Sequence, residues 1–251
     1  MTADELESVF EKAEYFYENM NFKKALKLFS EIEPFWPDFT VSIYIGCCYL
    51  GLENYDKAES IFKTLIVKAP DWERPYFNLA RICMKTGRFK EAYQLLRESI
   101  EINPNSGDSY FYMGLYHKKK EEWLKAIECF LYADKYNGLE LETQLNLTCC
   151  YEKIGEREKA LFCAKQALAV APNDLDALSN MVWLLTNSGN YREAFDLLYK
   201  NREELSDNIA FLKLLFGCAK RLGRDDICEK TAEQIFLISK EKFESSDISE
   251  T

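Results

Sequence analysis

The chain has 251 residues, 47% of them hydrophobic, and its 42 Asp and Glu against 32 Lys and Arg give a formal net charge of -10. Phosphate binding needs a basic footprint, so this balance argues against nucleic acid and anionic membrane surfaces as partners. Ten glycines and six prolines are too few for an all-β protein, and no apolar run approaches the roughly 20 residues of a membrane span.

The opening stretch MTADELESVF is acidic and has no apolar core, which is not the pattern of a secretory signal. Nine cysteines, an odd number in a chain of this size, then read as reduced thiols in the cytoplasm rather than a disulfide framework.

In chain order, the first predicted helix carries an acidic stripe, Glu7, Glu11, Glu14 and Glu18. Such a stripe either solubilises the end of the fold or meets a basic partner. Beyond it, a small anchor residue recurs. Ala25 is followed by Ala58, Ala92, Ala126, Ala160 and Ala194, the last five at intervals of 34 residues, and Cys228 falls 34 further on. Each anchor opens a segment of three- and four-residue apolar spacing, as in YDKAESIFKTLIVKAP (55–70), the mark of an amphipathic helix. Pro37, Pro70, Pro104 and Pro172 lie twelve residues after their anchors and end that helix. Gly87, Gly155, Gly189 and Gly223 lie five residues before theirs and mark the turn out of the preceding helix. The unit is a pair of helices joined by a tight turn, and seven units fall at about 6–38, 39–72, 73–106, 107–140, 141–174, 175–208 and 209–242. The polar stretch 243–251 is expected to be a disordered tail. Repeat six has Ser206 where the closing proline would stand, and repeat seven has Phe216 where a small residue is usual.

This pattern resembles the tetratricopeptide repeat, a 34-residue helix–turn–helix unit. Repeat two carries Ile45, Gly46, Tyr49, Ala58, Phe62 and Pro70 in that motif's register, and repeats three to five follow it with Leu79, Ala80, Met113, Gly114, Leu147 and Tyr151. The resemblance implies an all-α fold, a right-handed α-solenoid of stacked hairpins forming one array over 6–242. It also implies that the first helix of each hairpin lines a concave groove.

Two cysteine pairs, Cys47–Cys48 and Cys149–Cys150, stand 102 residues apart, three times 34, at one step of the repeat. Three hairpins separate them, so they cannot share a metal ion, and adjacent helical residues diverge too far for an easy disulfide. They read as small packing residues. His117 is the only histidine and reads as a half-buried packing residue. No phosphate loop, metal-ligand spacing or nucleophile–base pair appears, so no catalytic residue, metal or cofactor is expected.

The candidate surface is therefore the groove. The register implied by the resemblance places Asn78, Asn146 and Asn180 at one step, with Tyr44 and Tyr112 at the same step elsewhere. Arg74, Asn78 and Arg81 share one helix face, with Phe77 beside them and Lys85 nearby, making a basic patch in an acidic chain. Arginine's planar fork suits carboxylates, so an acidic segment of a partner protein could dock there, with Tyr44, Tyr112 and Trp183 as aromatic anchors. A solvated face with salt bridges to Glu73 or Asp108 would account for the same residues. The family's clamp for chaperone tails needs a run of basic and Asn residues that Phe10, Ile43, Phe77, Phe111, Leu145 and Ser179 do not supply, and Lys213 stands alone. The expected function is a non-catalytic scaffold or adaptor holding a peptide or helix of a partner. The alternative is a client-binding chaperone, for example of a bacterial secretion or assembly system, using Phe77, Phe111 and Leu115.

Overall fold

The computed structural model describes residues 1–138 and 140–248, with side chains as far as Lys240. Among the described residues there are fourteen α-helices and no strand. They form seven hairpins: α1 (Ala3–Glu18) with α2 (Phe22–Ile32), α3 (Thr40–Gly51) with α4 (Tyr55–Lys68), α5 (Glu73–Lys85) with α6 (Phe89–Ile102), α7 (Gly107–Lys119) with α8 (Trp123–Asn137), α9 (Leu141–Lys153) with α10 (Arg157–Val170), α11 (Leu175–Asn187) with α12 (Tyr191–Lys200), and α13 (Ile209–Arg221) with α14 (Asp225–Ile248). These hairpins, expected as one array, group into two compact units, Met1–Asn137 and Gly138 onward.

Local chemistry sets the helix ends. At the start of α1 the Thr2 hydroxyl accepts from the Glu5 amide while the Glu5 carboxylate accepts from the Thr2 amide, a reciprocal cap. α4, α6 and α10 each stop two residues before a proline, and the intervening Ala69, Asn103 and Ala171 are extended with φ near -130° to -138°. Repeat six, without that proline, closes α12 after ten residues, where the Asn201 amide donates to the Leu197 carbonyl. The turn inside each hairpin needs one left-handed residue. Gly87, Gly155, Gly189 and Gly223 supply it in four repeats, and Met20, Glu53 and Glu121 adopt φ of 56° to 59° at the same step in the other three.

The anchors Ala25, Ala58, Ala92, Ala126, Ala160 and Ala194 are all fully buried, as the packing argument requires. In repeats two and four a glycine stands twelve residues before the anchor, and a phenylalanine four residues after the anchor meets it. A Cβ built on Gly46 would come within 2.4 Å of the Phe62 ring, and one on Gly114 within 2.6 Å of the Phe130 ring. In repeat three the corresponding buried residues are Ala80 and the slimmer Leu96.

Repeat seven corrects the anchor expected from the period. The structure buries Ile227 and Thr231 of α14 and leaves Cys228 half-buried, its Sγ 4.0 Å from the Phe216 carbonyl oxygen. Phe216 occupies the step that Gly46 and Gly114 keep small, so α14 cannot close through Cys228 and turns by one residue. α14 also continues to Ile248, past residue 243 where a polar tail was expected to begin, and 249–251 lie outside the described residues.

All nine cysteines are free thiols. Six are buried and Cys129, Cys149 and Cys228 are half-buried; desolvation pushes Cys48 and the half-buried Cys129 up to about 12 and Cys83 to about 11, which suits packing and opposes thiolate chemistry. His117 is buried rather than half-buried. Its Nδ1 lies 2.6 Å from a Glu122 carboxylate oxygen, and its ring meets Tyr93 and Tyr116 edge-on.

Candidate partner-binding face

In the first unit, α3, α5 and α7 contact one another in sequence, and α1 reaches α3 through Phe10, Glu14 and Tyr17. Tyr44 is half-buried, stacked on Phe29 with centroids 4.9 Å apart, and its hydroxyl donates to the Glu14 carboxylate at 2.7 Å. Burial and that hydrogen bond raise its acid dissociation to about 12, so it stays a neutral donor. The Arg74 guanidinium stands over the Tyr44 ring at 5.9 Å, and Arg81 stands over Tyr112 at 5.1 Å. Phe77, 6% exposed, stacks beneath against Tyr112.

Asn78 departs from the groove reading. It is 1% exposed, and its carboxamide is used within the unit: Nδ2 donates to the Arg74 carbonyl, while Oδ1 accepts from Arg81 and from the Cys47 thiol. Such a residue holds the Arg81 guanidinium and the α5 backbone rather than offering its amide to a peptide. The arginines themselves are half-buried, not fully exposed as a solvated patch would be. Among the described residues no carboxylate lies within 4 Å of either guanidinium. The acids proposed as local neutralisers are occupied elsewhere: Glu73 accepts from Asn103, and Asp108 from Asn137. The two positive charges are thus held by aromatic faces and one amide, with no counter-charge in contact among the described residues.

Sequence reasoning missed the part played by Tyr17 here. Its hydroxyl lies against the Cys47 thiol and near Arg81, and burial raises its acid dissociation. Nothing local could have shown this, because Tyr17 is 30 residues from Cys47 and 64 from Arg81. Burial likewise raises the Cys47 thiol, with Arg81 and Arg74 pulling the other way.

In the second unit, Asn146 is half-buried, and its amide donates to the Glu142 carbonyl one turn back, as Asn78 does. Asn180 and Trp183 line a hollow of about 210 Å³ with Thr148, Cys149, Glu152 and Leu184. Trp183, 48% exposed, also lines an adjoining hollow of about 240 Å³ with Gly155, Arg157 and Asn187. Small-molecule sites usually run to roughly 300–1,000 Å³, and neither hollow alone reaches that size. Among the described residues no group of three or more His, Cys, Asp or Glu could hold a metal, and no helix is long and apolar enough to cross a membrane.

Two family models, both described as tetratricopeptide repeat, match residues 49–113 and 141–174. The first stretch runs from the end of α3 through α4, α5 and α6 into α7, and the second holds the hairpin α9–α10, both in the period already described. The chain is a tetratricopeptide-repeat protein. It is 29% identical over 210 residues to the human protein O-mannosyl-transferase TMTC3, a match covering 75% of this chain and 23% of that one. The chain spans about a quarter or less of the length of the curated relatives it matches. It superposes on the tetratricopeptide-repeat protein TTC0263 of Thermus thermophilus with a TM-score of 0.62 at 21% identity, covering 72% of this chain and 99% of that one. YrrB, described as a tetratricopeptide-repeat protein with an unusual peptide-binding site, gives 0.58 at 16% identity over 76% and 98%. At these identities the structural matches carry the fold, an α-solenoid of stacked tetratricopeptide repeats. Family and fold together support a protein-interaction scaffold.

Proposed function

We propose that the first-helix face of repeats two to four is the concave groove in which this scaffold, acting as an adaptor, holds an acidic peptide or helix of a partner protein. The observation that supports this most is the pair Arg74 and Arg81. Each stands over a tyrosine ring, Arg81 also donates to Asn78, and neither has a carboxylate within 4 Å among the described residues. Leaving guanidinium groups half-buried without a counter-charge is costly, and an incoming carboxylate would relieve that cost with charge-assisted, bidentate hydrogen bonds. Tyr44 and Tyr112 then contribute rigid amphipathic rings at the contact. In the second unit, Asn180 and Trp183 provide a separate contact point. The role is non-catalytic, and nine free thiols suit a cytoplasmic setting. The chaperone alternative asks for exposed apolar lining; Phe77 and Phe111 are both buried and Leu115 is half-buried.

The test is a titration of a captured partner against the wild-type chain and against R74E/R81E. Loss of charge-assisted contacts at an interface typically costs about 2–5 kcal/mol, or 30-fold or more in affinity. Folding should persist, because the lost stacking is worth only about 0.5–1 kcal/mol per arginine. Unchanged affinity in a folded double variant would refute the proposal.

A further inference from the structure

The basic stripe on α5 has a counterpart within the same chain. Reading α5 backwards, Lys85, Arg81 and Arg74 are separated by four and then seven residues. Reading α1 forwards, Glu7, Glu11 and Glu18 are separated by four and then seven residues. At 1.5 Å of rise per residue both sets place charges at about 0, 6 and 16 Å along a helix, and 3.6 residues per turn keeps each set within a narrow stripe. The correspondence extends to the position between them. Glu14 on α1 falls opposite Asn78 on α5 in this register, and these two are the members already committed internally, Glu14 to Tyr44 and Asn78 to Arg74, Arg81 and Cys47. The three remaining acids of the stripe are exposed, as is Lys85. Tyr15, 62% exposed, sits one turn from both Glu11 and Glu18 and adds an aromatic contact beside the stripe.

From this matched spacing we infer that the chain self-associates, α1 of one copy lying antiparallel on α5 of a second and pairing Glu7 with Lys85, Glu11 with Arg81, and Glu18 with Arg74. The inference rests on the reading of Arg74 and Arg81 as a site for acidic segments and names the second copy as one such occupant. Antiparallel pairing also sets each helix dipole against its opposite. Two copies can make this contact twice about a two-fold axis, an isologous dimer, or once each and so add further copies in a row. An acidic partner protein would compete for the same arginines.

Sedimentation velocity on the full chain tests this up to millimolar concentration. Wild type should associate with rising concentration. E7K/E11K/E18K and R74E/R81E/K85E should each need at least tenfold higher concentration to do so, because charge reversal turns three attractions into repulsions. An equimolar mixture of the two variants should associate again, since each then offers the complement of the other. The first variant separates specific pairing from general repulsion: three Glu→Lys changes of two charges each take the net charge from -10 to -4. If like-charge repulsion alone governed association, that variant would associate more readily. A wild type monomeric throughout, or a mixture that does not recover, overturns the self-pairing. The partner titration with R74E/R81E is read independently, so either idea can fail without the other.

Discussion

Three hairpin turns place a non-glycine residue where the other four place glycine, and this gives a direct test of what holds the repeats. Met20, Glu53 and Glu121 have φ of 56° to 59°, the left-handed region, whereas Gly87, Gly155, Gly189 and Gly223 hold φ of 66° to 79° at the equivalent step. A side chain with a Cβ is disfavoured there by about 1–2 kcal/mol. Glycine removes that strain but enlarges the conformational freedom lost on folding, an opposing effect of about 0.5–1 kcal/mol. All three side chains are exposed, Met20 by 74%, so little packing is lost on truncation. The balance is a gain of about 0.5–1 kcal/mol per site. For a chain of this size each kcal/mol moves the thermal midpoint by about 2–4 °C. The sites lie in different hairpins, so their effects should add. Melting curves followed by circular dichroism should therefore show M20G/E53G/E121G rising by about 3–12 °C. A midpoint unchanged or lowered, with each single variant also neutral or worse, would refute the reasoning and mean that local contacts offset the left-handed strain.

The close approach in repeats two and four gives the opposite sign for a nominally helix-favouring change. Gly46→Ala and Gly114→Ala each gain about 1 kcal/mol of helix propensity but overpack the ring of Phe62 or Phe130, at about 1–3 kcal/mol, so denaturant titration should show each folded but less stable. The Arg88 guanidinium holds Glu59 in a two-pronged contact, depressing its acid dissociation to about 2. A depressed carboxylate stabilises fully above its unfolded value near 4.3 and loses that contribution as pH falls towards 2. Solvent reaches Arg88, so the effect is only about 1 kcal/mol. Wild type minus E59Q stability measured from pH 6 to pH 2 should shrink over that window, and a flat difference would count against it. Trp183→Ala should lower stability by only about 1 kcal/mol, because the ring is 48% exposed; a loss of 3 kcal/mol or more, the usual cost for a core aromatic, would place it in the packing instead.

The sequence made the hairpins legible because their determinants are local and periodic. Buried alanines, closing prolines and turn glycines act within one hairpin, so their spacing reports structure directly. The seventh repeat was misread at Cys228 for a reason periodicity cannot express. Its anchor depends on the bulk of Phe216 in the partner helix, and that bulk shifted the buried set to Ile227 and Thr231. The candidate face was legible as to which residues share a helix side, since Arg74, Asn78 and Arg81 follow helical steps. Their exposure was not legible. Asn78 is buried through a thiol 31 residues away, and the arginines are half-covered by tyrosines from two other hairpins. Contacts of that range leave no trace in spacing.

The paired sizes inside the hairpins have a consequence for how such a chain can change. Gly46 is matched to Phe62, Ala80 to Leu96, and Gly114 to Phe130. Exchanging α4 for α6 would set Phe62 against Ala80, adding a methyl group where the neighbouring hairpin already has no room for one. The reverse exchange would set Leu96 against Gly46 and leave a void. Helices of one length and one register are therefore not spare parts for each other. Recombination within a hairpin would be penalised by packing, whereas duplication or loss of a whole hairpin keeps every matched pair intact, so the indivisible piece of this array is the hairpin rather than the helix.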